Sequence, residues 1–156
     1  EDLPYIISDV LQNNSIAKEI SIEGYHMTHS KGLKPSVQLR LNIQGKSYNA
    51  SATGDGQYDS FMKAVKKIYK SRKKELPKLI DYHVSIPPGG KTDAFVETVI
   101  TWDFGKIFKT KGLDPDQTVA AMMATEKMLN IIETLTQTTH LEESQLYGNE
   151  YRTIAR

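Results

Sequence analysis

Val37, Leu39, Leu41 and Ile43 alternate with Gln38, Arg40 and Asn42. This is the clearest strand pattern in the chain, since successive side chains of a strand point to opposite faces. Gln44-Gly45 turns the run into Tyr48, Ala50 and Ala52, which predicts a hairpin. Ahead of it, Ile20 and Ile22 alternate with Glu19, Ser21 and Glu23 as a half-buried strand, and residues 26–34 read as a polar connection. One face is polar throughout, so the expectation is an antiparallel sheet covered on one side only. At Tyr58 the period changes. Tyr58, Phe61, Met62, Val65, Ile68 and Tyr69 fall on one stripe of a helix, the spacing of a core-facing surface.

After Pro77 the order starts again. Ile80, Tyr82, Val84 and Ile86 alternate with polar residues, Pro87-Pro88-Gly89-Gly90 is a loop signal, and Val96, Thr98, Ile100 and Trp102 mark the next strand. A further strand follows over Ile107 to Thr110. The strands on either side of Asp103-Phe104-Gly105 want a polar hairpin loop, and Phe104 is a poor turn residue. The expectation is that residues of a longer loop are absent at this point. Asp114-Pro115-Asp116-Gln117 predicts a helix start, with Asp114 as cap, Pro115 at the first helical position and Gln117 closing a capping box. The helix continues through Ala120, Met123, Ala124, Met128, Leu129, Ile132 and Leu135, its small residues predicting close approach of a neighbour. At the ends, Asp2 caps a short helix carrying Ile6, Ile7, Val10 and Leu11. Thr138 onward reads as a weakly ordered tail with a turn at Tyr147-Gly148-Asn149.

The two halves match at one register. Gly45-Lys46 aligns with Gly105-Lys106, an offset of 105 − 45 = 60, and Tyr48, Gln57, Ser60, Ala64 and Lys67 then meet Phe108, Gln117, Ala120, Ala124 and Lys127. Lys18 and Ile20 meet Lys78 and Ile80 at the same offset. A duplicated strand–strand–strand–helix unit buries its apolar faces by packing on its copy. The fold class is therefore α+β, two βββα units related by a pseudo-twofold, with antiparallel sheets packed against helices. The units span about 16–74 and 76–136 of a domain at 16–136, with a helix or linker over 1–15 and a tail over 137–156.

Composition narrows the chemistry. At 156 residues the chain is one domain with room for a real core. Twenty basic and nineteen acidic residues give net +1, so no global field calls for nucleic acid or membrane. Lys63, Lys66, Lys67, Lys70, Arg72, Lys73 and Lys74 make the outer side of the first helix basic, but no aromatic residues interleave there for base stacking, and a solvated face is the better reading. With no cysteine there is no disulfide or thiol chemistry. No apolar run approaches the ~18 residues that span a bilayer. His26 and His29 have a spacing metal ligands can use, without a nearby carboxylate partner, while His83 and His140 lie on other elements. No nucleophile elbow or facing carboxylate pair stands out. The first residue is Glu1 rather than methionine, which reads as a piece of a longer protein.

The remaining feature is Gly54-Asp55-Gly56, a turn from strand into helix. Glycines there allow positive φ or a close approach, and the helix start behind them offers unpaired N–H groups to an anion. It is neither a P-loop nor a dinucleotide fingerprint.

Taken together, Gly54-Asp55-Gly56-x-x-Asp59, Leu79-x-x-Tyr82-x-Val84-x-Ile86, Gly90-x-Thr92-Asp93-Ala94 and Gly112-x-Asp114-x-Asp116 resemble the C-terminal regulatory domain of the α-isopropylmalate synthases and the related citramalate synthases. The match covers about positions 16 to 135. The resemblance implies a homodimer in the cytoplasm that binds an end-product amino acid and thereby inhibits a TIM-barrel catalytic domain of the same chain. That barrel would carry the divalent metal and the acetyl-CoA-dependent acyl transfer, so this domain would itself be no enzyme and hold no cofactor. Gly56-Gln57-Tyr58-Asp59-Ser60 is more similar to the citramalate branch, where isoleucine would be the effector. Leucine sensing by an isopropylmalate synthase, or a purely structural dimerisation module, is the alternative. The pocket is expected between the two helix starts and the sheet. Tyr58, Leu79, Tyr82, Ile86 and Val96 would contact the aliphatic side chain. These lie near the Gly54–Gly56 turn; the carboxylate would accept N–H groups at one helix start, near Gly56-Gln57 or Pro115-Asp116-Gln117, and the ammonium would meet carbonyls or a carboxylate such as Asp55 or Asp59.

Overall fold

The alternating runs fold as two copies of one arrangement. The computed structural model describes residues 18–87 and 95–154. In it β1 (Ile20–Thr28), β2 (Ser36–Ile43) and β3 (Lys46–Thr53) form an antiparallel sheet in that order, followed by α1 (Gln57–Ser71). A second sheet, β4 (Lys78–Ser85), β5 (Val96–Asp103) and β6 (Ile107–Asp114), repeats the order and leads into α2 (Gln117–Ile154). The expected α+β fold of two βββα units is present. The helix expected over residues 2–11 and the loop at 88–94 lie outside the described residues.

Each inward row packs on a helix stripe. Val37, Leu39, Leu41 and Ile43 of β2 are buried under Phe61, Val65, Ile68 and Tyr69 of α1. Ile100 and Trp102 of β5 and Phe108 of β6 join Met128, Leu129 and Ile132 of α2 in the same contiguous core. Fully burying one such side chain is worth about 1.5–3 kcal/mol. The Trp102 indole N–H donates to Thr110 Oγ1 at 2.9 Å, so even the largest core residue leaves no unpaired donor. At the outer edge of β1, Asn130 of α2 accepts the Ile20 N–H and donates to the Ile20 carbonyl, both at 2.9 Å.

The repeat is real but its register is not uniform. Lys67 and Lys127, matched at the offset of 60, make the same bond in each unit: their Nζ atoms donate to the Ser51 and Lys111 carbonyls at 2.6 and 2.7 Å. The inward partners Leu41↔Tyr48 and Trp102↔Phe108 show that β5 is displaced by one more residue than β6. In the first strands, Tyr25↔Leu39 corresponds to Tyr82↔Ile100, a separation of 57. The match of Ile20 with Ile80 is thus a coincidence of composition. Both first strands carry their bulge at the same place, between Ile22 and Gly24 and between Leu79 and Asp81.

Several local expectations change. β1 runs to Thr28, because pairing of His26 with Gln38 and Met27 with Val37 supplies backbone partners that polar side chains on the solvent face do not disturb. The β2–β3 turn has positive φ at Gln44 and Gly45 (53° and 85°), the mirror-image turn whose twist suits a hairpin. The β5–β6 hairpin closes through Phe104, Gly105 and Lys106 alone. Gly105 takes φ 76°, its N–H donates to Asp103 Oδ1, and Phe104 packs against the core. A longer loop is therefore not needed, since the aromatic ring is in the turn to reach the core. Residues 137–154 continue α2 with no turn at Gly148; one glycine costs a helix only about 1 kcal/mol among good helix formers. Of the adjacent Met122 and Met123 on α2, Met122 is the buried one.

Two backbone positions carry testable constraints. A Cβ at Gly112 would lie 1.9 Å from the Ala120 carbonyl oxygen, which accounts for the small residues opening α2. Gly112→Ala should cost about 1–3 kcal/mol in urea denaturation, while Gly24→Ala, which meets nothing within 4 Å, should stay within about 0.5 kcal/mol. At the end of α1, the Lys74 and Lys73 N–H groups donate to the Tyr69 and Lys70 carbonyls, with Lys73 held at φ 57°. That position favours glycine, so Lys73→Gly should stabilise the fold by roughly 0.5–1 kcal/mol.

Candidate functional site

Both helix starts open on one cleft of about 860 Å³. Its walls are the β1–β2 loop (residues 29–35), the turn into α1 (residues 55–59), Tyr82 on β4, and Gln117 and Thr118 at the head of α2. The two units meet here directly, with Thr118 Oγ1 donating to Gln57 Oε1 at 3.0 Å.

The helix starts differ in electrostatics. At α2 the cap is Asp116 rather than Asp114: Asp116 Oδ1 accepts the Thr118 and Val119 N–H groups at 2.8 and 3.0 Å. β6 extends through Asp114, whose Oδ2 accepts the Asp116 N–H, so Pro115 precedes the cap instead of opening the helix. This helix end already holds a carboxylate. At α1 the cap is Gly56, in extended backbone and with no side chain to accept from the first turn. Asp59 does not fill that role. Its Oδ2 accepts the Asp55 N–H at 2.8 Å and meets Lys63 at 3.2 Å, and these contacts, the backbone bond foremost, lower its pKa below the ordinary value.

Neither Gly54 nor Gly56 uses positive φ. Gly54 is needed for space, since a Cβ there would fall 2.4 Å from the Ser60 nitrogen. Its own N–H donates to the Pro35 carbonyl and fixes the β1–β2 loop against the turn.

Tyr58 forms the rigid wall. Thr125 Oγ1 donates to the Ala121 carbonyl at 2.8 Å, so in its 2.7 Å contact with Tyr58 it receives the phenol hydrogen. The Tyr58 ring lies 5.6 Å from Tyr82 and 6.0 Å from Phe61, centroid to centroid. Burial raises the phenol pKa well above its ordinary value, so Tyr58 stays neutral and a donor.

Of the residues expected at the site, Tyr58, Tyr82, Asp55, Gly56 and Gln117 line the cleft, and Gly54 is buried directly behind it. Leu79, Ile86 and Val96 do not line it. Leu79 pairs with the inward Trp102 as Tyr82 does with Ile100, Val96 opens β5 and Ile86 lies one residue past β4; Leu79 and Ile86 remain 42% and 67% exposed. Pro115 is exposed beside the cleft. Residues His29, Lys31, Leu33, Lys34 and Thr118 line the cleft without having been expected there. The only local signal for that loop was Leu33, an apolar residue in a polar connection. Among the described residues no three His, Cys, Asp or Glu side chains are grouped to hold a metal ion. No described helix is long and apolar enough to cross a membrane.

The chain is thus a duplicated βββα domain with a cleft where its two helix starts meet. The family model for the LeuA allosteric (dimerisation) domain matches residues 1–133, and the chain belongs to that family. It is similar to a 2-isopropylmalate synthase of Heliobacterium modesticaldum, 26% identical over 132 residues that cover 85% of this chain and 25% of the relative. A putative (R)-citramalate synthase CimA of Archaeoglobus fulgidus is 29% identical over 132 residues, covering 84% and 26%. A 2-isopropylmalate synthase of Methanocaldococcus jannaschii is 28% identical over 135 residues, covering 84% and 25%. The chain spans about a quarter of the length of these curated relatives, and their names divide between the two enzymes.

The Tyr58–Thr125 bond is testable by itself. Thr125→Val leaves the phenol without its acceptor and should cost about 1–3 kcal/mol in urea denaturation. Tyr58→Phe should cost less in the Thr125→Val background than in the wild type, and strict additivity would show that the bond contributes nothing.

Proposed function

We propose that this is the effector-sensing domain of a citramalate synthase, binding isoleucine as end product and inhibiting a catalytic barrel elsewhere in the same polypeptide. The observation that carries the reading is the contrast between the helix starts. Asp116 already occupies the head of α2, whereas α1 opens under Gly56 with no side-chain cap. A ligand carboxylate therefore goes to the N–H groups of Gln57 and Tyr58, where the helix dipole favours it. Asp59 is held by the Asp55 backbone and Lys63, so the ammonium goes to Asp55.

From that anchor the side chain runs along Tyr58 and Tyr82 toward the apolar face that carries Leu79, Ile86 and Val96. Pro115 and Gln117 close the other side. That face is open in a single protomer, and a second copy of the chain supplies its cover in a homodimer, a reading supported by the dimerisation named in the family's description. The parent's acyl transfer would use acetyl-CoA and a divalent metal on the barrel, in the cytoplasm, with no part of that chemistry in this domain.

Isoleucine and leucine differ in the position of one branch, which a hydrophobic pocket separates by roughly 1–3 kcal/mol at most. Tyr58 is the residue for that task, because its hydroxyl is fixed on Thr125 and the ring cannot turn aside. Titration calorimetry should give tighter binding of isoleucine than of leucine, a preference narrowed or inverted in Tyr58→Val, and severe weakening for isoleucine amide. Tighter leucine binding by the wild type would move the chain to the isopropylmalate branch. Absence of binding by any branched amino acid would leave the structural dimerisation module as the function.

A further inference from the structure

The β1–β2 loop forms one wall of the cleft, and the ligand placement above gives it no task. Its last part is held firmly, with the Pro35 carbonyl bonded to the Gly54 N–H at 3.0 Å and the Leu33 N–H to the Ser30 carbonyl at 3.2 Å. Between these bonds Lys34 reaches across the cleft mouth, and its Nζ stands 3.4 Å from Asp55 Oδ1. The two side chains are 70% and 82% exposed. An ion pair that open to water adds little to stability. Its position is more telling than its strength, because it spans the two loops that flank the uncapped start of α1.

The carboxylates of Asp59, in the cleft, and of Asp116, at the head of α2, are committed. Asp59 Oδ2 takes the Asp55 N–H and Lys63, and Asp116 Oδ1 takes two N–H groups of α2. Asp55 has Lys34 as its side-chain partner among the described residues. A cation and an anion in contact, next to helix N–H groups two residues further on, complement a molecule that carries both charges on one carbon.

We propose that Lys34 and Asp55 together read the zwitterionic end of the effector. A free α-amino acid inserts between them, its ammonium taking Asp55 and its carboxylate taking Lys34 along with the start of α1. The inference rests on the amino-acid-binding reading above. Insertion exchanges one exposed ion pair for two, so both protein charges keep a partner. An amide or a 2-oxo acid of the same skeleton supplies only one charge and strands the other member of the pair. The clamp thereby selects free amino acids over their neutral or singly charged relatives, independently of side-chain shape.

Titration calorimetry on the 156-residue chain tests this, using isoleucine and leucine, their carboxamides and the corresponding 2-oxo acids. Lys34→Met should weaken the free amino acid about fivefold, leave the carboxamide no weaker and flatten the dependence on sodium chloride, with Lys34→Arg restoring most of the affinity. Asp55→Asn should weaken the free amino acid and leave the 2-oxo acid no weaker. Unchanged amino-acid affinity in Lys34→Met overturns the proposal, as does an equal loss for acid and amide, the result a merely structural loop would give. If the wild type binds no amino acid, the sensing function itself falls and the clamp with it.

Discussion

The buried amide of Asn130 holds the two units in one body. β1 is an edge strand, and its outer N–H and C=O groups need partners once a helix covers them. Asn130 supplies both at Ile20, and Glu126 accepts the Ile22 N–H at 3.1 Å, so a helix side stands in for a neighbouring strand. Leaving such a group unpaired costs about 1–3 kcal/mol. The last described element is thereby tied to the first described one, and α2 serves both sheets. At the far end of α1 the buried Glu133 meets Arg72 and Lys74 at 3.9 and 3.8 Å and repeats the tie.

The duplication is unequal at that edge. The positions of α1 that match Asn130 and Glu126 are Lys70 and Lys66, which carry donors and no acceptor. No equivalent bonds join α1 to β4 among the described residues. Leu79 on the inner face of β4 is 42% exposed, while Ile20 at the start of β1 is fully buried; farther along β1, Tyr25, the counterpart of Tyr82, is itself 46% exposed. The second unit thus keeps an apolar surface at the β4 edge, with Leu79 and Ile80 exposed, where the first is tied down by α2.

Tyr58 connects that surface to the scaffold. It stands in the first turn of α1, its ring faces Tyr82 of the second sheet, and its hydroxyl is bonded to Thr125 of α2. Anything that displaces the ring must disturb the packing of both helices at once. Allosteric coupling asks only for a differential of about 1–3 kcal/mol between two states, the size of one buried hydrogen bond with its packing. The cleft has such a contact in its wall.

The alternation of Val37 to Ile43, the 3.6-residue stripe from Tyr58 to Tyr69 and the repeated Lys67 and Lys127 were enough to determine the βββα order and the duplication. These signals are local, because strand and helix periods are written in the residues that obey them. The cap of α2 was misplaced by two residues, since Asp114 and Asp116 are chemically identical and only the bond geometry separates them. The true register of β4 was hidden by the equal hydrophobicity of Leu79 and Ile80, and the bulge that resolves it arises from pairing with β5. Lys34 was invisible as a cleft residue because its meaning depends on Asp55, distant in sequence and brought near by the Gly54–Pro35 bond. What one segment does with its own backbone was legible in the chain. Which charges face each other across a cleft was decided by tertiary structure, because Coulomb attraction and hydrogen bonding depend on distance in space.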